Sequence, residues 1–130
     1  MSSIFSKIIE GSIPCYKIAE NDDFLAFLDI EPIVEGHTLV IPKKEVDYVF
    51  DLDDTTLKEM MVFSKMVAAK LKAAVPCNRI GISVIGLEVP HAHIHLVPIN
   101  RIADMNFSKH KLELSNTEMI EIQERIVRQA

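Results

Sequence analysis

Three histidines stand at alternate positions in the run Val89-Pro90-His91-Ala92-His93-Ile94-His95-Leu96-Val97-Pro98. Alternation is the period of a β-strand, so the spacing predicts three imidazoles on one face and Ala92, Ile94 and Leu96 on the other. Successive rings on such a face stand about 7 Å apart. Charging one ring disfavours charging the next, so a purely structural strand gains little from the pattern. Chemistry at neutral pH gains more, because an uncharged imidazole attacks, donates or accepts. Two chemistries fit. Alternate histidines can converge on one metal ion. Alternatively, the middle ring attacks phosphorus while its neighbours orient it and manage protons. Gly86, upstream, permits close backbone approach to a ligand, and Glu88 is expected to share the histidine face. A fourth histidine, His37, opens the segment His37-Thr38-Leu39-Val40-Ile41 and is expected to lie near the other three.

Those side chains need a frame. Residues 3–10 suit a short helix closed by Gly11 and followed by Pro14. Tyr16 to Glu20, Phe24 to Asp29 and Thr38 to Ile41 read as strands, separated by Asn21-Asp22-Asp23 and a Pro32 to Gly36 loop. From about Asp54 to Ala74 the period turns helical, with Leu57, Met60, Met61, Met66, Val67, Leu71 and Val75 forming an imperfect apolar stripe. The methionines on it read as core packing or as a helix-to-helix contact. Asp53, Asp54 and Thr55 offer caps and Pro76 stops the helix. The acidic run from Asp51 to Asp54 is therefore read as capping, which the helix dipole favours, and not as a metal site. Arg79 to Ile85 and the histidine strand follow, joined at Gly86, and a helix from about Asn116 to Arg128 comes last. The order predicts an α+β fold: a five-stranded, mostly antiparallel sheet with a long central helix and a C-terminal helix, the helices packed on one side.

A chain of 130 residues, 48% hydrophobic and 25% charged, suits a single domain spanning residues 1–130. The formal charge of −5 offers no broad attraction to nucleic acid or anionic lipid, so any phosphate must be held locally. No apolar run reaches the roughly 18 residues of a membrane span, and the amino-terminal residues lack a signal-peptide layout. A soluble, cytoplasmic protein without nucleic-acid or membrane partners is expected. Cys15 and Cys77 lack metal-type spacing and are expected to be reduced, small apolar residues.

The run His91-Ala92-His93-Ile94-His95-Leu96-Val97 resembles the histidine-triad signature, and the likeness extends further along the chain. Residues 3–14, Leu25-Ala26-Phe27-Leu28-Asp29-Ile30 and Gly36-His37-Thr38-Leu39-Val40-Ile41-Pro42-Lys43-Lys44 are similar to further blocks of that family, in the expected order. The resemblance implies a Hint-like hydrolase or transferase, generally a homodimer with a continuous sheet. It would cleave a substituent from the α-phosphate of a purine nucleotide, such as a phosphoramidate or a mixed anhydride. By position, His93 would form a covalent nucleotidyl intermediate, His95 would contact the phosphate and assist the leaving group, and His91 and His37 would fix ring orientation and tautomer. Asp29 would bind the ribose hydroxyls, and Ile4, Phe5, Ile8, Phe27 and Ile30 would line the base pocket. Gly86 and Glu88 would belong to the phosphate loop. No cofactor is implied.

Several positions depart from the pattern. Many members bind a structural zinc through two cysteines near the amino terminus and two histidines. Here Ser3 and Ser6 stand in the cysteine positions and Glu45 where a histidine is frequent, so no zinc is expected there. The usual Gly-Gln dipeptide before the triad reads Gly86-Leu87, and the loop ahead of it is shorter. Leu87 offers no side-chain hydrogen bond, so slower chemistry or a different leaving group is expected. Glu88 replaces a frequent hydroxyl residue and would repel phosphate when ionised. Two alternatives follow: a nucleotide-binding regulatory module with weak catalysis, or a metalloenzyme ligated by His91, His93 and His95.

Overall fold

The computed structural model describes residues 3–129. Five strands, β1 (Lys17–Glu20), β2 (Phe24–Leu28), β3 (Thr38–Pro42), β4 (Arg79–Ser83) and β5 (Ile94–Ile99), form one antiparallel sheet in the order β1-β2-β3-β5-β4. The helices are α1 (Ile4–Glu10), α2 (Asp54–Ala74) and α3 (Asn116–Val127). Short 3-10 turns at Val49–Asp51 and Ile102–Met105 were not expected from the sequence.

Local chemistry sets the ends of α2. The Asp53 carboxylate accepts from Thr56 N–H at 2.7 Å, satisfying an otherwise unpaired amide of the first turn. Of the acidic run, Asp53 is the cap and Asp54 lies in the first turn, while Asp51 ends the preceding 3-10 turn. Met60, Val67 and Leu71 lie beneath the helix with no exposure, and each buried apolar side chain of this size contributes about 1.5–3 kcal/mol. Met61 and Met66 do not share that burial. They are 52% and 40% exposed, because they project from the flank away from the sheet.

The helices do not all pack on one side. Phe24, Ala26 and Leu28 of β2 join the large core with α2 and α3, while Leu25 and Phe27 face a second cluster with Phe5, Leu39 and Ile41. Phe5 brings α1 onto the opposite face. Both faces of β2 and β3 are therefore covered, and both strands are buried at every position. Cys15 also packs against this second cluster, half-buried, with its thiol pKa raised by burial; Cys77 is likewise free and half-buried.

Strand ends differ from expectation in one place that matters. β5 begins at Ile94, so His91, Ala92 and His93 precede the ladder, and β4 stops at Ser83 short of Ile85. The alternation persists in spite of that: Ala92, Ile94 and Leu96 all enter the large core. Amide pairing from Ala92 N–H to Val46 O at 2.7 Å holds the lead-in segment in place of a strand partner. At the facing end of β3, Gly36 adopts φ +90°, and a Cβ there would come within 3.1 Å of Val75 Cγ2 and 3.2 Å of Pro98 Cγ. That close approach sets the turn that delivers His37.

Candidate functional site

All four histidines are buried, and the partners of their ring nitrogens fix which nitrogen carries the proton. His91 Nε2 lies 2.8 Å from Pro42 O. A carbonyl only accepts, so Nε2 carries the hydrogen, and in the neutral ring Nδ1 is the bare nitrogen. His93 Nδ1 lies 2.7 Å from His91 O, so the same reasoning puts the proton on Nδ1 and leaves Nε2 of His93 with a free lone pair.

The second pair is fixed from the other end. Ile33 N–H donates to His37 Nδ1 at 3.2 Å, so His37 carries its proton on Nε2. Nε2 then donates to His95 Nδ1 at 2.9 Å, and His95 in turn carries its proton on Nε2. The rings of His93 and His95 are 4.9 Å apart. The fold thus places a bare nitrogen beside an N–H donor, with both far nitrogens occupied.

Burial keeps three of these rings, His37, His93 and His95, uncharged. Desolvation, reinforced by neighbouring His95, Lys111 and His93, pushes the His37 pKa down to about 3. His95 falls to about 4, mainly by burial and then by His93 and Lys111. Burial also lowers His93, against a partly compensating bond to the His91 carbonyl. Asp29 moves the other way, up to about 6, because desolvation outweighs the N–H donated by Glu31 at 2.8 Å. Its Oδ2 lies 3.6 Å from His37 Nε2, outside hydrogen-bond range, so the carboxyl borders the histidine pair without sharing its proton.

Metal ligation fits poorly. His91 has both nitrogens engaged, so the three alternating histidines do not offer three free donors to one ion, contrary to the metalloenzyme alternative. Ligand atoms of Asp29, His37 and His95 do lie within 4.8 Å of one another. Ligation there by His37 Nε2 would drive its proton to Nδ1, against the N–H of Ile33. The serine and glutamate positions do not suit zinc either. Glu45 Oε1 accepts from Ser3 N–H at 2.7 Å and from the Ser6 hydroxyl, and Ser3 Oγ lies 2.8 Å from His91 Nδ1. These hard oxygens are already hydrogen-bonded to one another, where a zinc site would present thiolates.

The expected base-pocket residues divide. Phe5 and Phe27 meet edge to face at 5.5 Å inside the second core, and Phe5 also meets the His93 ring at 5.1 Å. Ile8 packs against the same cluster. Ile4 and Ile30 are exposed and stand outside that cluster. Leu87 and Glu88 are exposed. The expectation that Glu88 shares the His91 face fails, since Glu88 is three residues away, an odd step, and the chain there is not a strand. Its charge still reaches Asp29 and His93. Gly86 adopts φ +74°, and a Cβ would meet open space, so its backbone conformation is what requires glycine.

Two residues escaped the sequence reading. The Phe107 ring stands edge-on to His95 at 4.8 Å and to His37 at 5.9 Å. Lys111 donates to Phe107 O at 2.6 Å, and its charge acts on Asp29, His37 and His95. Leu112 N–H bonds to Pro32 O at 2.9 Å and ties this segment to the loop ahead of His37. The local signal was limited to one aromatic and one cation, four residues apart in a stretch without periodicity.

Known proteins share this chain's fold and part of its sequence. The chain is 40% identical over 102 residues to the adenosine 5'-monophosphoramidase hnt1 of Schizosaccharomyces pombe, covering 75% of this chain and 74% of that one. A crystal structure of a Hit-like protein from Bartonella henselae superposes with a TM-score of 0.83 at 29% identity, covering 97% of this chain and 95% of the other. A Zn-bound histidine triad family protein from Mycobacterium smegmatis superposes at 0.81 with 27% identity, over 98% and 91% of the two chains. The HIT domain family model matches residues 10–102, which include β1 to β5 and all four buried histidines. The chain belongs to the histidine-triad family.

Proposed function

We propose that the protein is a nucleotide hydrolase that cleaves a substituent from the α-phosphate of a purine nucleotide, a phosphoramidate above all, through a covalent bond to His93. The observation that carries this reading is the 2.7 Å contact from His93 Nδ1 to the His91 carbonyl, which leaves Nε2 as an uncharged nucleophile. The phosphoramidase name of the fission-yeast relative supports the substrate class. In the first step the Nε2 lone pair bonds to phosphorus as the bond to the leaving amine breaks, and the departing nitrogen takes a proton from water. His95 Nε2–H donates to a phosphoryl oxygen, where charge builds. The phosphorylated ring carries a positive charge, which the His91 carbonyl favours. Water then adds to phosphorus, the P–N bond to His93 breaks, a proton returns to solvent and the nucleoside monophosphate leaves. Rapid-quench intact mass spectra with adenosine 5'-phosphoramidate test this step: a transient nucleotidyl adduct is expected on the wild type and none on His93→Ala.

Substrate binding draws on groups of opposite sign. Asp29 accepts from the ribose hydroxyls, the exposed Ile4 and Ile30 cover the base beside Phe5 and Phe27, and Lys111 supplies the local cation that a chain of charge −5 needs for phosphate. One calorimetric series checks both polar groups. Lys111→Met is expected to weaken AMP by about tenfold and adenosine little, a difference of about 1.4 kcal/mol. Asp29→Ala is expected to weaken AMP more than 2'-deoxy-AMP. Equal losses across each pair would assign both residues to structure alone.

The same reading includes a homodimer. β4 is an edge strand packed beside α2, and Ile82, Val84 and Ile85 at this edge are 42–47% exposed, as are Met61, Val62 and Met66 of α2 at 40–68%. An uncovered apolar edge of this kind invites pairing with a second copy. Sedimentation equilibrium is expected to give twice the chain mass for the wild type and the chain mass for Val62→Asp. A wild type that sediments as a single chain at all concentrations removes the dimer.

A further inference from the structure

The polar cluster under α1 does more than cap a helix. Ser3 Oγ accepts from Ser6 N–H at 3.0 Å, which is the capping bond. The same oxygen lies 2.8 Å from His91 Nδ1, the nitrogen left bare because Nε2 donates to Pro42 O. Opposite the neutral ring, the Ser3 hydroxyl donates to His91 Nδ1. Glu45 holds this serine pair from outside, accepting from Ser3 N–H and the Ser6 hydroxyl.

We propose that Ser3 is a positioning residue for the nucleophile: its hydroxyl donor holds the His91 ring in the Nε2–H form, and thereby holds the His91 carbonyl on Nδ1–H of His93. The proposal rests on the assignment of His93 as nucleophile. Capping alone needs only an acceptor, and serine, threonine, aspartate and asparagine all provide one. The donor is the added feature. His91 is clamped at both ring nitrogens, and its own carbonyl orients the neighbouring ring, so a change of His91 protonation reaches His93 along two bonds. The titratable groups against His91 are Glu45 and His93. The Glu45 pKa is held down at about 2 by the Ser3 amide and the Ser6 hydroxyl, so it stays an acceptor through the working range. A positive His91 would lower the basicity of His93, which burial has already depressed.

Aspartate and threonine at position 3 separate the two roles. Ser3→Thr keeps acceptor and donor. Ser3→Asp keeps the cap but has no proton to give at neutral pH, so His91 is expected to take a second proton and donate from Nδ1. With adenosine 5'-phosphoramidate, Ser3→Thr is expected to match the wild type. Ser3→Asp is expected to lose about tenfold in kcat with KM little changed, and the acid limb of its kcat profile is expected to rise by about one pH unit. Nitrogen-15 spectra of histidine-labelled protein read the same state without turnover: bare Nδ1 and protonated Nε2 at His91 in the wild type and Ser3→Thr, both protonated in Ser3→Asp. An unchanged kcat and acid limb in Ser3→Asp overturns the proposal, as does a wild-type His91 protonated at Nδ1. If the wild type turns over no substrate, the assignment of His93 fails, and the nitrogen spectra still decide whether Ser3 sets the His91 tautomer.

Discussion

Replacing His93 with alanine is expected to lower turnover of adenosine 5'-phosphoramidate by about a thousandfold or more, while AMP binding stays within about threefold. The asymmetry follows from what each group does. His93 Nε2 is the one bare ring nitrogen in the cluster that faces no internal partner, so nothing else would replace it in the proposed bond to phosphorus. In the proposed mechanism binding draws instead on Asp29, Lys111 and the apolar rim, which the substitution leaves in place. Rapid-quench intact mass spectra check the mechanism directly. The wild type is expected to show a transient added nucleotidyl group that His93→Ala never shows and that a chelator does not affect. Substantial turnover by His93→Ala would remove His93 from the nucleophile role. A wild type that binds AMP yet forms neither adduct nor product would favour the regulatory module, and would point to Leu87 and the short loop before it, since Leu87 has no side-chain hydrogen bond to offer a leaving group.

The same contacts separate what the sequence discloses from what it conceals. Alternation placed Ala92, Ile94 and Leu96 in the core, since the inward face of the run has no polar residue to confuse the period. It did not disclose that the ladder starts only at Ile94. Strand pairing depends on a partner, and beside Ala92 the partner is the irregular segment at Val46. The second covered face of the sheet was legible in principle. Phe24-Leu25-Ala26-Phe27-Leu28 has no polar position at all, the pattern of a strand buried on both sides, and only α1 was available to cover the extra face. His37 was found because a strand start places it, but its bond to His95 joins residues 58 apart. Ring tautomers lay beyond any local pattern, since they depend on carbonyls and amides brought in by Pro42, Ile33 and His91. Phe107 and Lys111 were hidden for a similar reason. Their segment has no period of its own, and a single amide bond from Leu112 to Pro32 sets where it lies.

Buried uncharged histidines also make the fold acid-sensitive, and the expected loss is large. An unfolded histidine titrates near 6.5, whereas His37 and His95 hold off protonation until about pH 3 and 4. The unfolded chain therefore binds protons that the folded chain refuses. Their contribution is complete above pH 6.5 and declines as the pH falls towards the folded values, by roughly 6 kcal/mol together at pH 4. Asp29 opposes this. Its folded pKa of about 6 lies above the ordinary carboxyl value, so between those values the folded state takes up a proton more readily and regains roughly 2 kcal/mol. The two carboxylates lowered to about 2, Glu20 and Glu45, are exposed, and their stabilisation is lost mainly at lower pH. The expected net loss between pH 8 and pH 4 is about 4 kcal/mol, a large share of a typical domain's stability. Urea unfolding midpoints across that range measure it. Nearly constant stability down to pH 4.5 would mean that the histidine pair accepts protons in the folded state. It would break the proton order from Ile33 through His37 to His95, and with it the assignment of His95 Nε2 as the donor beside the nucleophile.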